Sequence, residues 1–214
     1  MTDQPWTAPE PVPPTPLTPE SPGDGGPPDA GARGDDVDAP ALARAVVEIE
    51  RHVAQAGWDA PVRVFALVRT AAALAADPDL AQLLDGAAVA EAQADPQALT
   101  AVEQEGLPAA ADLEDLLGQL AWPDSVDGVA LSAEQIVLPP QAEAEAVAMT
   151  DARERLAYLT DHPEREEMRL VVGVLRQGQS WCAVRSRRLD SPEAVVTGSA
   201  LVPGLVEALS ATLA

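Results

Sequence analysis

The sequence predicts an α+β fold: a mainly antiparallel sheet of about four strands with helices packed against it, preceded by a disordered tail. Three observations carry that expectation. Residues 1–40 hold 11 of the chain's 21 prolines, several glycines, and eight acids against one base, Arg33. Residues 41–214 alternate between apolar positions at helical spacing and short runs at strand spacing, as one domain of ordinary size does. Residues 167–187 read as a β-hairpin, which sets two strands side by side and antiparallel.

The first 40 residues carry too few apolar side chains to offset the entropy of ordering, so they are expected to form an acidic, solvated tail. Thr15-Pro16, Thr18-Pro19 and Ser21-Pro22 suit phosphorylation or a polyproline docking strip, although composition alone is satisfied by a plain tail. Gly23-Asp24-Gly25-Gly26 has neither a strand before it nor a helix after it, which excludes a phosphate loop.

From Ala41, the residues Leu42, Val46, Ile49 and Val53 recur on one helical face, with Arg44, Glu48, Arg51 and Gln55 opposite. Gly57 is the stop signal. Val62 to Val68 is apolar on both faces except for Arg63, as in a strand covered on each side. Arg69 to Leu84 reads as alanine-rich helix, interrupted near Asp77-Pro78. Residues 85–111 show no clear pattern beyond a loop at Gly106-Leu107-Pro108. Asp112 caps a short helix with Leu113, Leu116, Leu117 and Leu120 in its stripe. Val129 to Leu138 reads as a strand stopped by Pro139-Pro140, and Thr150 to Leu159 as a helix closed by Asp161-His162-Pro163. A last helix starts near Pro203 and turns Leu205, Val206, Leu209 and Leu213 to the sheet. Trp58 and Trp122 plug two similar helix-to-strand corners, an echo that needs no duplication.

The hairpin has an arguable register. Met168, Leu170, Val172 and Val174 share one face, and a two-residue turn would set Leu170 and Val172 beside Arg185 and Ala183. A three-residue loop, Arg176 to Gly178 with the glycine left-handed, instead sets Val172 across from Cys182 and Leu170 across from Val184. The opposite face then pairs Trp181 with Gly173, Arg169 with Arg185 and Glu167 with Arg187.

Charge excludes some function classes. The chain has 35 acids against 13 bases, all of them arginine, for a net charge of −22. The all-arginine, alanine-rich usage fits a GC-rich genome, and the charge repels phosphate backbones and anionic membranes. Nucleic-acid binding and membrane insertion are not expected; with no leader or spanning run, the expected location is cytoplasmic. A single cysteine, Cys182, excludes an internal disulfide and a cysteine-rich zinc site. No metal and no cofactor are expected.

Candidate catalytic groups are few. His52 follows Glu48 by one helical turn but lacks the second histidine of a zinc-binding helix, so a surface histidine explains it. His162 is accounted for by a helix-stopping turn. Cys182 falls on the apolar hairpin face, where a thiol acts as a small hydrophobe. No Ser-His-Asp arrangement can be assembled, so no catalytic residue is assigned.

The arginine distribution is more informative. Between Arg69 and Arg153 lie sixteen acids and no base, whereas Arg165, Arg169, Arg176, Arg185, Arg187 and Arg188 lie on or beside the hairpin. Arg169 and Arg185 as cross-strand neighbours require a negative answer. It comes either from an outside anion or carboxylate-bearing partner, with Arg169, Arg185, Arg187 and Trp181 as the binding face, or from acids on the chain's own middle helices.

The segments "ALARAVVEIERHVAQAGWDAPVRVFALVRT", "LAWPDSVDGVAL", "HPEREEMRLVVGVLRQGQSWCAVRSR" and "LVPGLVEAL" together resemble an uncharacterised actinobacterial family of short α+β proteins. The resemblance covers most of residues 41–214 and none of the tail. It implies an intracellular α+β domain and supplies no active-site residues.

Two functions follow from these readings. One is a non-catalytic binding or adaptor protein whose acidic surface and tail engage another protein. The alternative is a small enzyme or sensor that holds an anionic metabolite on the arginine-bearing hairpin face, with His52 or His162 as acid–base. For the tail, amide proton resonances of residues 1–40 should collapse into a narrow band; well-dispersed tail resonances would contradict disorder.

Overall fold

The computed structural model describes residues 39–214, so the expected tail lies outside the described residues apart from Ala39 and Pro40. Its elements are α1 (Ala39–Ala54), β1 (Arg63–Arg69), α2 (Thr70–Ala76), α3 (Gly86–Ala94), β2 (Leu99–Glu103) and α4 (Leu113–Gly118). There follow β3 (Gly128–Val137), α5 (Pro140–Ala148), α6 (Ala152–Asp161), β4 (Glu166–Leu175), β5 (Ser180–Ser186), β6 (Val196–Gly198) and α7 (Pro203–Ala211). The strands form one antiparallel sheet in the order β2-β1-β3-β4-β5-β6.

The α+β class with an antiparallel sheet holds, but the sheet has six strands rather than about four. The two additions are both edge strands. β2 is short and only half-buried, and β6 has three residues, so neither carries the apolar density that marks β1 or β3. The alanine-rich helix expected over residues 69–84 is interrupted at Asp77-Pro78 as its sequence predicts, but the part beyond the break is a 3₁₀ turn rather than α-helix. Asp77 leaves α2 in extended conformation, and its side chain accepts from the Asp79 N–H to cap a 3₁₀ turn over Pro78–Gln82. α3 and α5 also went unpredicted, because runs such as GAAVAEAQA have no apolar stripe to register.

Local capping elsewhere follows the sequence. Asp112 accepts from the Asp115 N–H at the start of α4, and Asp151 accepts from the Arg153 and Glu154 N–H groups at the start of α6. The hairpin takes the three-residue loop. Gly178 sits at φ +96, its N–H donates to the Leu175 carbonyl, and the Leu175 N–H donates to the Gln179 carbonyl. Val172 pairs with Cys182, Leu170 with Val184, Gly173 with Trp181 and Arg169 with Arg185. Arg187 lies just past β5 in a 3₁₀ turn but still reaches Glu167 at 2.5 Å.

Each face of the sheet has its own core. Over one lies α1, whose Leu42, Val46, Ile49 and Val53 pack on Phe65, Leu67, Ala130, Val171 and Ala183. Over the other lie α4 and α7, with Leu116, Leu117 and Leu209 on Val64, Leu131, Val172 and Cys182. Arg176, at the hairpin tip, holds this second layer in place. Its guanidinium donates to the carbonyls of Trp122, Pro123, Val126 and Leu213 and so ties the chain before β3 to the end of α7. Burial raises the Cys182 thiol pKa, so the thiol remains a core hydrophobe. Among the described residues no helix is long and apolar enough to cross a membrane.

Gly173 lets α1 approach the sheet. A Cβ there would stand 2.6 Å from Val46 Cγ2 and 3.1 Å from a Leu42 methyl. Gly173→Ala is therefore expected to cost about 1–3 kcal/mol in urea unfolding, through overpacking of the α1 interface. An unchanged midpoint would show that α1 is not seated this closely.

Candidate functional site

The α1 face of the sheet carries a transverse row of charge that the strand register creates. Glu134 of β3 pairs with Arg169 of β4, which pairs with Arg185 of β5. Both arginines are almost fully buried, at 1% and 3% exposure. Two buried guanidiniums side by side repel and lose hydration, so each needs oriented acceptors.

For Arg185 the acceptor is Glu50, on α1. Nε meets Oε1 at 2.6 Å and Nη2 meets Oε2 at 2.8 Å, a bidentate pair with both partners buried. Asp190 accepts from Nη1 at 3.2 Å. The Glu50 hydrogen bond is the main reason that the Arg185 guanidinium is held above its ordinary pKa. Arg169 donates to Glu134 at 3.0 Å and to the Gly57 carbonyl, and its guanidinium lies 4.3 Å from the Trp58 ring centroid.

Trp58 joins the two arginine environments. Its Nε1 donates to Asp190 Oδ2 at 3.0 Å, and this bond is the leading cause of the depressed Asp190 pKa. The turn that delivers Trp58 uses two left-handed residues, Gly57 at φ +81 and Asp59 at φ +66. Aspartate tolerates that region better than most side chains, and here it makes three further contacts. The Asp59 N–H donates to Glu134 Oε2 at 2.8 Å, and its carboxylate accepts both Arg187 terminal nitrogens at 2.9 Å. That pairing depresses the Asp59 pKa and raises that of Arg187.

The four sequence-predicted positions thus fall on one face but not at one spot. Arg169, Arg185 and Arg187 join a single network, each bonded to the chain's own carboxylates. Trp181 lies further along β5, paired with Gly173 and packed against the α1 core. The answering acids come from α1, β3 and the flanking loops, not from the middle helices. Glu50 had a legible signal: it falls four residues after Val46 and three before Val53, inside the apolar stripe. Glu134, Asp59 and Asp190 had none, because their placement depends on strand pairing and on turns remote in sequence.

The histidines sit apart from this network. His52 Nε2 accepts from Arg63 Nη2 at 2.9 Å and lies 3.6 Å from Glu103, so its neighbours are β1 and β2 rather than Glu48. His162 Nδ1 accepts from the Glu164 N–H at 3.2 Å, as a turn residue does. Among the described residues no cluster of histidine, cysteine and carboxylates is arranged to hold a metal ion.

Among the clefts formed by the described residues, two lie beside helices. One, of about 520 Å³, lies between α1 and α3, with Glu48, His52, Glu91 and Glu103 around an apolar floor. The other, of about 760 Å³, lies between α4 and α7 on the opposite face, lined by Leu113, Leu117, Leu120, Val202 and Leu205.

Fold and site define an α+β protein with an open six-stranded antiparallel sheet, helices on both faces and an arginine–carboxylate network beneath one of them. The chain belongs to the PPA1309-like protein family, whose model matches residues 42–214. No curated protein and no solved structure matches it.

Two stability measurements follow. Arg185→Met leaves Glu50 buried and unpaired and is expected to cost about 3–5 kcal/mol, while Glu50→Leu combined with Arg185→Met recovers most of that loss. A double variant as unstable as the summed single variants would deny the pairing. Asp190 has a folded pKa below its ordinary 3.8, so its contribution is present above that value and lost as pH falls through the folded pKa. Trp58→Phe removes the N–H donor, so the Asp190 pKa should rise toward 3.8 and the acid loss of stability should become shallower.

Proposed function

We propose that this chain is a non-catalytic protein-binding module that engages its partner through the groove between α4 and α7. The observation that carries the reading is that groove itself, about 760 Å³ of open, leucine-lined space on the face that α4 and α7 leave incompletely covered. The buried arginines support it indirectly. Arg169 is bonded to Glu134, Arg185 to Glu50 and Asp190, and the more exposed Arg187 beside them to Asp59, so an outside anion would have to displace carboxylates already in place. An actinobacterial, cytoplasmic setting fits the all-arginine base set and the acidic charge of the chain.

A second reading, an enzyme or sensor for an anionic metabolite, draws on a smaller cleft of about 300 Å³ where Arg165 and Arg187 meet Thr160. Asp59, Glu134 and Glu167 line the same cleft, which favours the first reading.

Ala208 is exposed in the groove, so Ala208→Glu should leave the fold intact while obstructing it. A protein recovered stoichiometrically from native lysate with the wild-type chain should be lost with this variant. Equal recovery with both would contradict the groove as the binding surface.

A further inference from the structure

We infer that the occupant of the α4–α7 groove is a basic amphipathic helix of the partner, with its apolar stripe on the half-buried Leu113 and Leu205 and its cationic flank over Glu114. The inference rests on the protein-binding reading and adds the chemistry of what binds.

Shape favours a helix. The groove is walled by two helices, with Leu113, Leu117 and Leu120 on one side. On α7 the groove residues include Gly204, Ala208 and Ala211, at helical spacing. Small side chains on one wall and leucines on the other let a third helix settle at close interaxial distance, with its own large residues filling the gap. An extended strand gains less, because helix walls offer no free ladder of backbone donors and acceptors.

Charge selects a basic helix. Both walls come from stretches without a single base, residues 70–152 and 189–214. Glu114 lines the groove, and Asp112, Asp115 and Glu207 are exposed on or beside the same two helices. Arg176, the base that reaches this layer from the hairpin, has its guanidinium committed to four backbone carbonyls. A second copy of the chain would bring the same acidic rim against this one, and like charges across an interface are unfavourable.

The test uses the full chain and three synthetic peptides of about 18 residues: a helical Leu/Lys amphipath, its Leu/Glu counterpart, and a Leu→Ser version that keeps the charge but loses the stripe. The Leu/Lys peptide should bind saturably at about 1–100 μM, shift the amide resonances of Leu117, Gly118, Leu205 and Ala208, and weaken with added salt. Glu114→Gln with Glu207→Gln should weaken it about fivefold. Equal binding of the Leu/Glu or the Leu→Ser peptide, shifts confined to other elements, or no saturable binding would overturn the inference. A concentration-dependent dimer abolished by Ala208→Glu would also overturn it, in favour of self-association. If Ala208→Glu still loses the lysate partner while the Leu/Lys peptide does not bind, the helix inference falls and the protein-binding reading stands.

Discussion

Strand pairing sets Arg169 directly beside Arg185 beneath α1, and two adjacent buried guanidiniums are costly unless carboxylates answer them. The rest of that face follows from this constraint. Glu50 must sit on the sheet side of α1, which fixes the rotation of the helix and carries Leu42, Val46 and Val53 onto the apolar strands. Glu134 must face the same way on β3, which fixes the register of β3 against β4. The turn after α1 must deliver Trp58 under Arg169, which it does with two left-handed residues in close succession. Removing one member therefore strands charge in several elements at once.

The opposite face is held by a different device. Arg176 satisfies the carbonyls of an irregular segment and of Leu213, just past α7, and Trp122 donates to Thr212 beside it. These bonds secure the end of α7 and the approach to β3; α4 and α7 meet in the core beneath, and an open groove remains above that contact. Both faces thus keep a groove, but the one beside α1 is edged by Glu48, His52, Glu91 and Glu103, whereas the one between α4 and α7 is lined mainly by leucine and valine. That asymmetry locates the proposed partner surface.

Much of this was legible in the sequence. The α1 stripe, the hairpin register, the Asp112 cap and the terminal helix all depend on residues within a few positions of one another, where periodicity and turn chemistry suffice. The edge strands β2 and β6 were not legible, because a strand paired on one side needs little apolar content. The helices α3 and α5 were not legible because alanine-rich runs have no contrast between faces. For the site, the clustering of arginines was visible and so was their need for an answer. The place of Glu50 in the α1 stripe marks it as buried, but its pairing with Arg185, 135 residues away, and the reach of Glu134 to Arg169 across the α5–α6 insertion were not legible.

An internally neutralised network and an anion-binding face make opposite demands on Arg169 and Arg185, and side-chain Nε–Hε resonances separate them. Internal neutralisation predicts two dispersed, slowly exchanging signals, that of Arg185 shifted by its bond to Glu50 and that of Arg169, whose Nε has no acceptor, protected by burial, and neither moving when millimolar phosphate or citrate is added. Signals that exchange rapidly with water and shift saturably with either anion would contradict it and assign the guanidiniums to an external ligand.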